Sequence, residues 1–225
     1  MSEAAERQAP YATYVFDCDG VILDSNRLKT EAFRLAAAPY GDAAAAALVD
    51  HHVANGGISR FSKFDHFLTE IVEPGVRGPN REALLHAYAE AVRDGLASCT
   101  VASGLGALRE RLRDARWMIV SGGSQDELRA VFAARGIAHY FDGGIFGSPD
   151  TKDAILTREC ESGNIAAPAL FIGDSKYDYR AADSAGLDFV FAPYWTEVED
   201  WRGFVADNAL ATVPDLGAVA DCRPR

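Results

Sequence analysis

Residues 14–20 read Tyr-Val-Phe-Asp-Cys-Asp-Gly, a short apolar run that ends in two carboxylates and a glycine. An apolar run of this length predicts a buried β-strand, and the change to polar residues at position 17 predicts a turn. Asp17 and Asp19 lie two residues apart, so extended backbone would point both side chains to the same side. This stretch therefore predicts a strand that delivers two acidic groups to one crevice.

Three later apolar runs also end in small or polar residues or beside a proline. They are residues 117–120 before Ser121-Gly122-Gly123, 169–172 before Gly173-Asp174-Ser175, and 189–191 near Pro193. Amphipathic stretches lie between them, with one helical face formed by Leu105, Leu108 and Leu112 and another by Leu128, Val131 and Phe132. This alternation predicts a doubly wound, parallel α/β sheet of the Rossmann-like type, in which ligands bind beyond the carboxyl ends of the strands.

Residues 24–99 do not follow the alternation, because they read mainly as helices and include a run of alanines at 43–47. We interpret this segment as a helical cap inserted into the α/β core. The core would then comprise residues 12–23 and 100–225. The polar residues 1–11, which precede the first strand, read as a loose tail.

Composition and charge restrict the class of partner. A formal net charge of −11 argues against nucleic acid, whose binding needs a basic surface. No stretch approaches the length of a membrane span, and the first residues lack the apolar segment of a secretory leader. The cysteines show no paired spacing, so reduced thiols in a cytoplasmic protein are the simplest interpretation. A small anionic metabolite remains as the expected partner, and the oligomeric state is left open.

The carboxylates at the strand ends predict a metal site. Asp174 follows another predicted strand and so should join Asp17 and Asp19, and close carboxylates need a proton or a cation between them. Three oxygen donors suit Mg²⁺. Asp178 either belongs to the same metal shell or caps the next helix. With a cation present, Asp17 can attack phosphorus, while Asp19 holds a proton near neutral pH and acts as general acid and base.

Further residues would handle the phosphate. The Ser121 hydroxyl and the Gly122 amide follow the second strand, where they could hold phosphate oxygens. Lys152 lies at the start of a helix and could bring a positive charge to the phosphate and the nucleophile. Ser124 and Glu127 read as a capping box. Each feature alone is commoner as a turn or a solvated charge, and their combination favours a site.

Four segments together resemble the motifs of the haloacid-dehalogenase-like superfamily, in order and in spacing. They are residues 17–25, Val120-Ser121-Gly122, Lys152, and residues 173–178. The resemblance implies phosphoryl transfer through an aspartyl-phosphate on Asp17, and the insertion is similar to the cap of the phosphoglycolate phosphatase and β-phosphoglucomutase branch. The leading hypothesis is a Mg²⁺-dependent phosphatase acting on a small sugar phosphate or phosphorylated sugar acid, and the alternative is a phosphomutase.

Within the cap, residues 55–60 (Asn-Gly-Gly-Ile-Ser-Arg) are similar to the specificity loop of β-phosphoglucomutase. The resemblance implies that Arg60 binds a phosphate that is not being transferred, and it makes Asn55 a substrate-binding candidate. Lys29 occupies the position of a histidine in that mutase, which weighs against isomerase activity and adds Lys29 to the candidates. His51 and His52 are adjacent on a helix and should not share an ion, so we expect exposed or hydrogen-bonded rings.

Three other classes of protein fit the pattern less well. A signalling receiver also has an acceptor aspartate on a parallel sheet, but it has no dedicated acid and no cap. A dehalogenase attacks carbon without Mg²⁺, so Asp19 and Asp174 would be surplus. A non-catalytic binding module would not need the complete set of groups for turnover.

Overall fold

The computed structural model describes residues 9–223. Most of the predicted tail, residues 1–8, lies outside them. At its described end, Tyr11 is buried, and its hydroxyl donates a hydrogen bond of 2.8 Å to Asp188. Tyr11 is therefore part of the packed core rather than of a loose tail.

Six strands form one sheet in the order β3-β2-β1-β4-β5-β6, and every neighbouring pair is parallel. The strands are β1 (Thr13–Phe16), β2 (Arg116–Ser124), β3 (Gly144–Ser148), β4 (Ala169–Gly173), β5 (Asp188–Phe191) and β6 (Ala211–Thr212). The predicted parallel α/β fold is confirmed, with β1, β2, β4 and β5 at the predicted apolar runs. Strand β3 escaped prediction because Gly144 and Gly147 interrupt its apolar run, and β6 is too short to give a pattern.

Nine α-helices accompany the sheet in the described part of the chain. They are α1 (Asn26–Ala37), α2 (Asp42–Ala54), α3 (Arg60–His66), α4 (Arg81–Ser98), α5 (Leu105–Arg111), α6 (Gln125–Ala134), α7 (Lys152–Glu161), α8 (Lys176–Ser184) and α9 (Trp201–Asp207). Side chains of β1 alternate between the two faces of the sheet. Tyr14 and Phe16 pack in a cluster with α5 and α6, whereas Val15 packs in a second cluster with α7 and α8. Helices therefore cover both faces, and the polar strand ends remain accessible at one edge.

Helices α1 to α4 lie between β1 and β2 in sequence and pack around an apolar cluster of their own. Phe33 is at its centre, with ring centroids of Phe64 and Tyr88 at 5.2 and 4.5 Å. This is the segment predicted as a helical cap. Since its aromatic residues bury one another rather than the sheet, the segment has an independent core that faces the strand ends.

All four cysteines are free thiols, in agreement with their unpaired spacing in the sequence. Within residues 9–223, no helix has both the length and the apolar character needed to cross a membrane.

Candidate active site

The two central strands bring the first and the last acidic motifs together. Phe16 of β1 pairs with Ile172 of β4, and the Asp17 amide continues this ladder by donating to the Ile172 carbonyl at 2.9 Å. Asp17 and Asp174 therefore leave adjacent strands at the same edge. Gly20 makes this approach possible: its φ is 76°, and a Cβ at this position would lie 2.1 Å from a carboxylate oxygen of Asp174. Any other residue would be strained and would clash with the acid.

Three buried carboxylates surround one buried lysine. Oxygen atoms of Asp17, Asp174 and Asp178 all lie within 4.8 Å of one another. The Lys152 ammonium is 2.8 Å from Asp17 Oδ1 and also forms an ion pair with Asp178. Lys152 is only 1% exposed, so the interpretation as a solvated lysine is wrong. One ammonium among three carboxylates leaves two negative charges uncompensated when all are ionised, which favours a divalent cation.

Asp178 caps the next helix, which is one of the two roles that the sequence left open. One of its oxygens accepts from Lys152, and the other accepts from the backbone amide and the hydroxyl of Ser175. These contacts with Ser175 form a capping box at the start of α8. Both oxygens are thus engaged, and Asp178 holds Lys152 against Asp17 from behind.

Asp19 departs from its predicted place in the metal cluster. Its carboxylate accepts hydrogen bonds from Lys29 at 2.5 Å and from Ser25 at 2.6 Å, and it is not among the three clustered acids. Burial acts to raise the pKa of Asp19, but the Lys29 charge and these hydrogen bonds outweigh it and lower the pKa. The expectation that Asp19 holds a proton near neutral pH is therefore wrong for this state of the protein, because Lys29 carries the proton instead.

The opposite shift occurs at the clustered acids. Burial, followed by repulsion from Asp178 and Asp19, raises the pKa of Asp17 to about 7 against the attraction of Lys152. Burial and the charges of Asp17 and Asp178 raise the pKa of Asp174 well above its usual range. A bound cation would reverse both shifts, because it stabilises the ionised forms.

These shifts predict a pH-dependent stability in the absence of divalent cations. A carboxyl with a raised pKa binds more protons in the folded than in the unfolded protein, so stability falls as pH rises above about 4 towards about 7. Measured by urea unfolding in EDTA, wild type should lose more unfolding free energy than Asp174→Asn between about pH 5 and about pH 7.5, because the variant lacks one carboxyl whose pKa is raised. His52, whose pKa is lowered to about 2 by burial, also makes stability depend on pH, but it does so equally in both proteins. Equal slopes of unfolding free energy against pH in wild type and variant would contradict the prediction.

The polar end of β2 lies beneath the cap. Ser121 is fully buried, and its hydroxyl accepts from the Gly123 amide at 3.0 Å. Strand β2 continues to Ser124, whose side chain makes no capping hydrogen bond, so the predicted capping box is wrong. The physical reason is that its other member, Glu127, forms an ion pair with Arg60 of the cap.

Gly122 provides the closest approach between cap and core. A Cβ at Gly122 would lie 2.2 Å from the carbonyl oxygen of Gly57, whereas a Cβ at Gly123 would make ordinary contacts of 3.4 Å. We expect Gly122→Ala to displace the cap loop at a cost of about 1–3 kcal/mol, and so to lower kcat/KM roughly 5- to 150-fold. Gly123→Ala is the matched control and should stay close to wild type. Equal activity of the two variants would show that this contact is not needed.

One cavity of about 60 Å³ lies between these core residues and the cap. From the core, Asp17, Asp19, Gly122 and Asp174 line it. From the cap, four basic side chains line it, and we call them the basic cap cluster: Lys29, His52, Arg60 and Lys63. The structure thus places the carboxylates of the strand ends and the basic cap cluster around one small space.

Two of the predicted cap residues have partners that the sequence did not indicate. Arg60 is buried, pairs with Glu127, and lies with its guanidinium carbon 4.6 Å from the centre of the Tyr88 ring. Arg60 is therefore not a solvated charge on the surface of the loop. The Asn55 amide donates to the His51 carbonyl at 2.9 Å at the end of α2, and Asn55 does not line the cavity. The structure therefore does not place Asn55 beside the other candidate substrate-binding residues.

Sequence reasoning missed Lys63 and Asn26. Lys63 is 1% exposed and donates to Nδ1 of His52 at 2.6 Å, which confirms the expected hydrogen-bonded ring of His52. The Asn26 amide donates to Asp174 at 2.7 Å. One feature of the sequence could have pointed to Lys63 as a cap residue of the site. It follows Arg60 by one helical turn, and lysine is rare in this chain, which has only four. No such signal existed for Asn26, because an asparagine at the start of a helix is ordinarily interpreted as a cap.

A parallel sheet with an inserted cap, and with a buried aspartate, lysine and acid cluster beyond its central strands, defines a class of hydrolytic enzymes. The sequence matches the haloacid dehalogenase-like hydrolase family over residues 11–186, and the chain belongs to this family. No curated protein sequence matches the chain.

Solved structures share the whole fold at low sequence identity. A protein described as a predicted phosphoglycolate phosphatase from Haemophilus somnus has a TM-score of 0.74 at 16% identity, covering 94% of this chain and 97% of its own. CbbY from Rhodobacter sphaeroides, in complex with phosphate, has a TM-score of 0.66 at 20% identity, with coverage of 93% and 96%. A candidate β-phosphoglucomutase from Thermotoga maritima has a TM-score of 0.63 at 18% identity, again with 93% and 96%. The similarity extends over core and cap alike.

Proposed function

We propose that this hydrolase is a Mg²⁺-dependent phosphatase that removes the phosphoryl group from a small phosphorylated metabolite. The observation that carries the proposal is the contact between Asp17 and Lys152 within the buried acid cluster. A carboxylate held by an ammonium and facing a small cavity is poised to act as a nucleophile. Membership of the hydrolase family and the likeness to phosphatases support this direction.

The donor set fits Mg²⁺. Carboxylate oxygens are the hard ligands that this ion prefers, and Asp17 and Asp174 offer them at the edge of the cavity, with Asp178 behind. When bound, the ion would supply charge neutralisation for the phosphoryl oxygens and for the acid cluster. Lys29 and Ser25 hold the Asp19 carboxylate away from this donor set, so it is not part of the proposed metal site.

The proposed reaction has two halves, and residues of the chain act in each. Asp17 attacks phosphorus and forms an aspartyl-phosphate, while Lys152 keeps the attacking carboxylate oriented. The leaving oxygen takes its proton from the Asp19–Lys29 pair, in which the proton resides on Lys29 at rest. In the second half, Asp19 takes a proton from water as the water attacks the aspartyl-phosphate, and the pair is restored. The Gly122 backbone and the Ser121 turn support the phosphoryl oxygens.

The phosphomutase alternative requires that the captured phosphoryl group return to the substrate. In this chain Lys29 holds Asp19 in a tight pair, which weighs against that outcome. A screen of phosphorylated metabolites with Mg²⁺, measuring both inorganic phosphate and isomerised product, separates the two. Phosphate release without isomerisation supports the phosphatase, isomerisation supports the mutase, and neither product with any metabolite would contradict the proposal. The free thiols are compatible with a cytoplasmic enzyme, which is the location that we propose.

A further inference from the structure

The basic cap cluster contains one cation, Lys63, that has no acidic partner in the described part of the chain. Lys29 is paired with Asp19, and Arg60 is paired with Glu127. In contrast, no carboxylate of residues 9–223 lies within ion-pair distance of the Lys63 ammonium. Its hydrogen bonds go to Nδ1 of His52 at 2.6 Å and to the His52 carbonyl at 3.4 Å. A buried charge without a counter-charge is costly unless a ligand supplies one.

The neighbouring histidine adds a donor that has no partner. An ammonium can only donate, so beside a charged Lys63 the Nδ1 atom of His52 accepts and the ring hydrogen is on Nε2. Nε2 is buried and has no hydrogen-bond partner among residues 9–223, and a carboxylate oxygen of Glu197 is 4.0 Å away. The Glu197 carboxylate instead accepts from the Thr30 hydroxyl. His52 is only 9% exposed and lines the same cavity as Lys63. Two buried donors on the cap thus face a cavity whose opposite side holds the nucleophile.

Arg60 is the residue for which the loop resemblance implies a second phosphate, but it is already occupied. Its guanidinium bridges from α3 of the cap to Glu127 of α6 in the core, and it also covers the Tyr88 ring. An anion at Arg60 would have to displace Glu127. An anion at Lys63 would not have to displace a carboxylate. Lys63 is therefore better suited than Arg60 to bind an anion of the substrate.

Resting on the proposed function, we infer that the substrate carries a second anionic group, remote from the transferred phosphate, and that Lys63 and His52 Nε2–H bind it. The substrate class is that of short phosphate esters with a carboxylate or a second phosphate. The small cavity favours a chain of a few carbons. As support, burial and the nearby Lys29 charge lower the pKa of Lys63 to about 7, and an anion beside it would restore the ammonium.

The test uses matched pairs of phosphate esters. Phosphooxy carboxylates with one, two or three methylenes are compared with phosphooxy alcohols of the same length, so that only the second charge differs. Hydrolysis gives kcat/KM, and calorimetric titration into Asp17→Asn protein with Mg²⁺ gives affinity without turnover. We expect wild type to prefer the carboxylate member of at least one pair by about 10- to 100-fold, as for a charge-assisted contact.

Variants locate the anion site. Lys63→Met keeps the length and apolar stem of the side chain, and it should abolish the preference ratio. Lys176→Met, at an exposed lysine, is the matched control and should keep the ratio. Arg60→Met should keep it as well. A preference that survives Lys63→Met, or that is lost in Arg60→Met alone, would overturn the inference.

The design also separates this inference from the proposed function. Hydrolysis by wild type without any preference for the second charge would overturn the inference and leave the phosphatase intact. A binding preference that depends on Lys63, without hydrolysis of any ester, would support the anion site and contradict the phosphatase. If Lys63→Met fails to fold, His52→Gln takes its place, and the wild-type preference alone can still refute the proposal.

Discussion

Asp17→Asn should lower kcat by roughly four orders of magnitude or more while leaving the protein folded. An amide cannot attack phosphorus, so no aspartyl-phosphate forms. The fold should tolerate the change because Asp17 is buried and its pKa is raised to about 7, so the amide avoids the cost of burying an ionised group there. Thermal unfolding should therefore occur at the wild-type temperature or above it.

A matched variant isolates the nucleophile from general effects of charge. Asp24→Asn makes the same chemical change at an exposed aspartate of the same motif and should keep wild-type activity. Mass spectrometry must exclude deamidation of the introduced amide back to aspartate. With deamidation excluded, turnover near the wild-type rate would remove Asp17 as the nucleophile, and an unfolded variant would contradict the stated stability.

Removal of divalent cations by EDTA should reduce the phosphatase rate by at least about a thousandfold, and added Mg²⁺ should restore it. The acid cluster around Lys152 carries excess negative charge, which would repel an incoming phosphate unless a cation is bound. Mg²⁺ should also raise the unfolding temperature, because it binds the folded cluster and not the unfolded chain.

Asp174→Asn tests the location of the ion. It should weaken the activation by Mg²⁺ and the thermal stabilisation together, whereas Asp183→Asn, at an exposed acid on α8, should change neither. Full activity in EDTA would contradict the metal requirement. Normal Mg²⁺ stabilisation in Asp174→Asn would place the ion elsewhere.

Local patterns predicted the core and the acids at its edge. The apolar runs before Asp17, Ser121 and Asp174 became β1, β2 and β4, because a strand buried on both faces must be continuously apolar. Parallel strands direct their carboxyl ends to one edge, which is why the acids of distant motifs could be expected to meet. Strand β3 could not be predicted from its apolar pattern, because its glycines interrupt the apolar run.

Partner choice among the charged side chains could not be predicted in this way. Glu127 fits the sequence pattern of a capping box, yet it pairs with Arg60, which is 67 positions distant in sequence. Asp19 is predicted from the sequence to be a metal ligand, yet its carboxylate forms an ion pair with Lys29. The sequence offers several opposite charges to each of these side chains, and only the docking of the cap on the core decides which one lies within reach.

The sequence by itself therefore determined the fold class, the edge of the sheet that carries the chemistry, and the identity of the nucleophile candidate. Those features depend on hydrophobic periodicity and on residues a few positions apart, which local backbone geometry places together. The tertiary structure alone decided the protonation pattern and the composition of the cap side of the cavity. A pKa depends on burial and on charges brought close by the fold, and Lys63 became a candidate only because folding buried it beside His52 without a counter-charge.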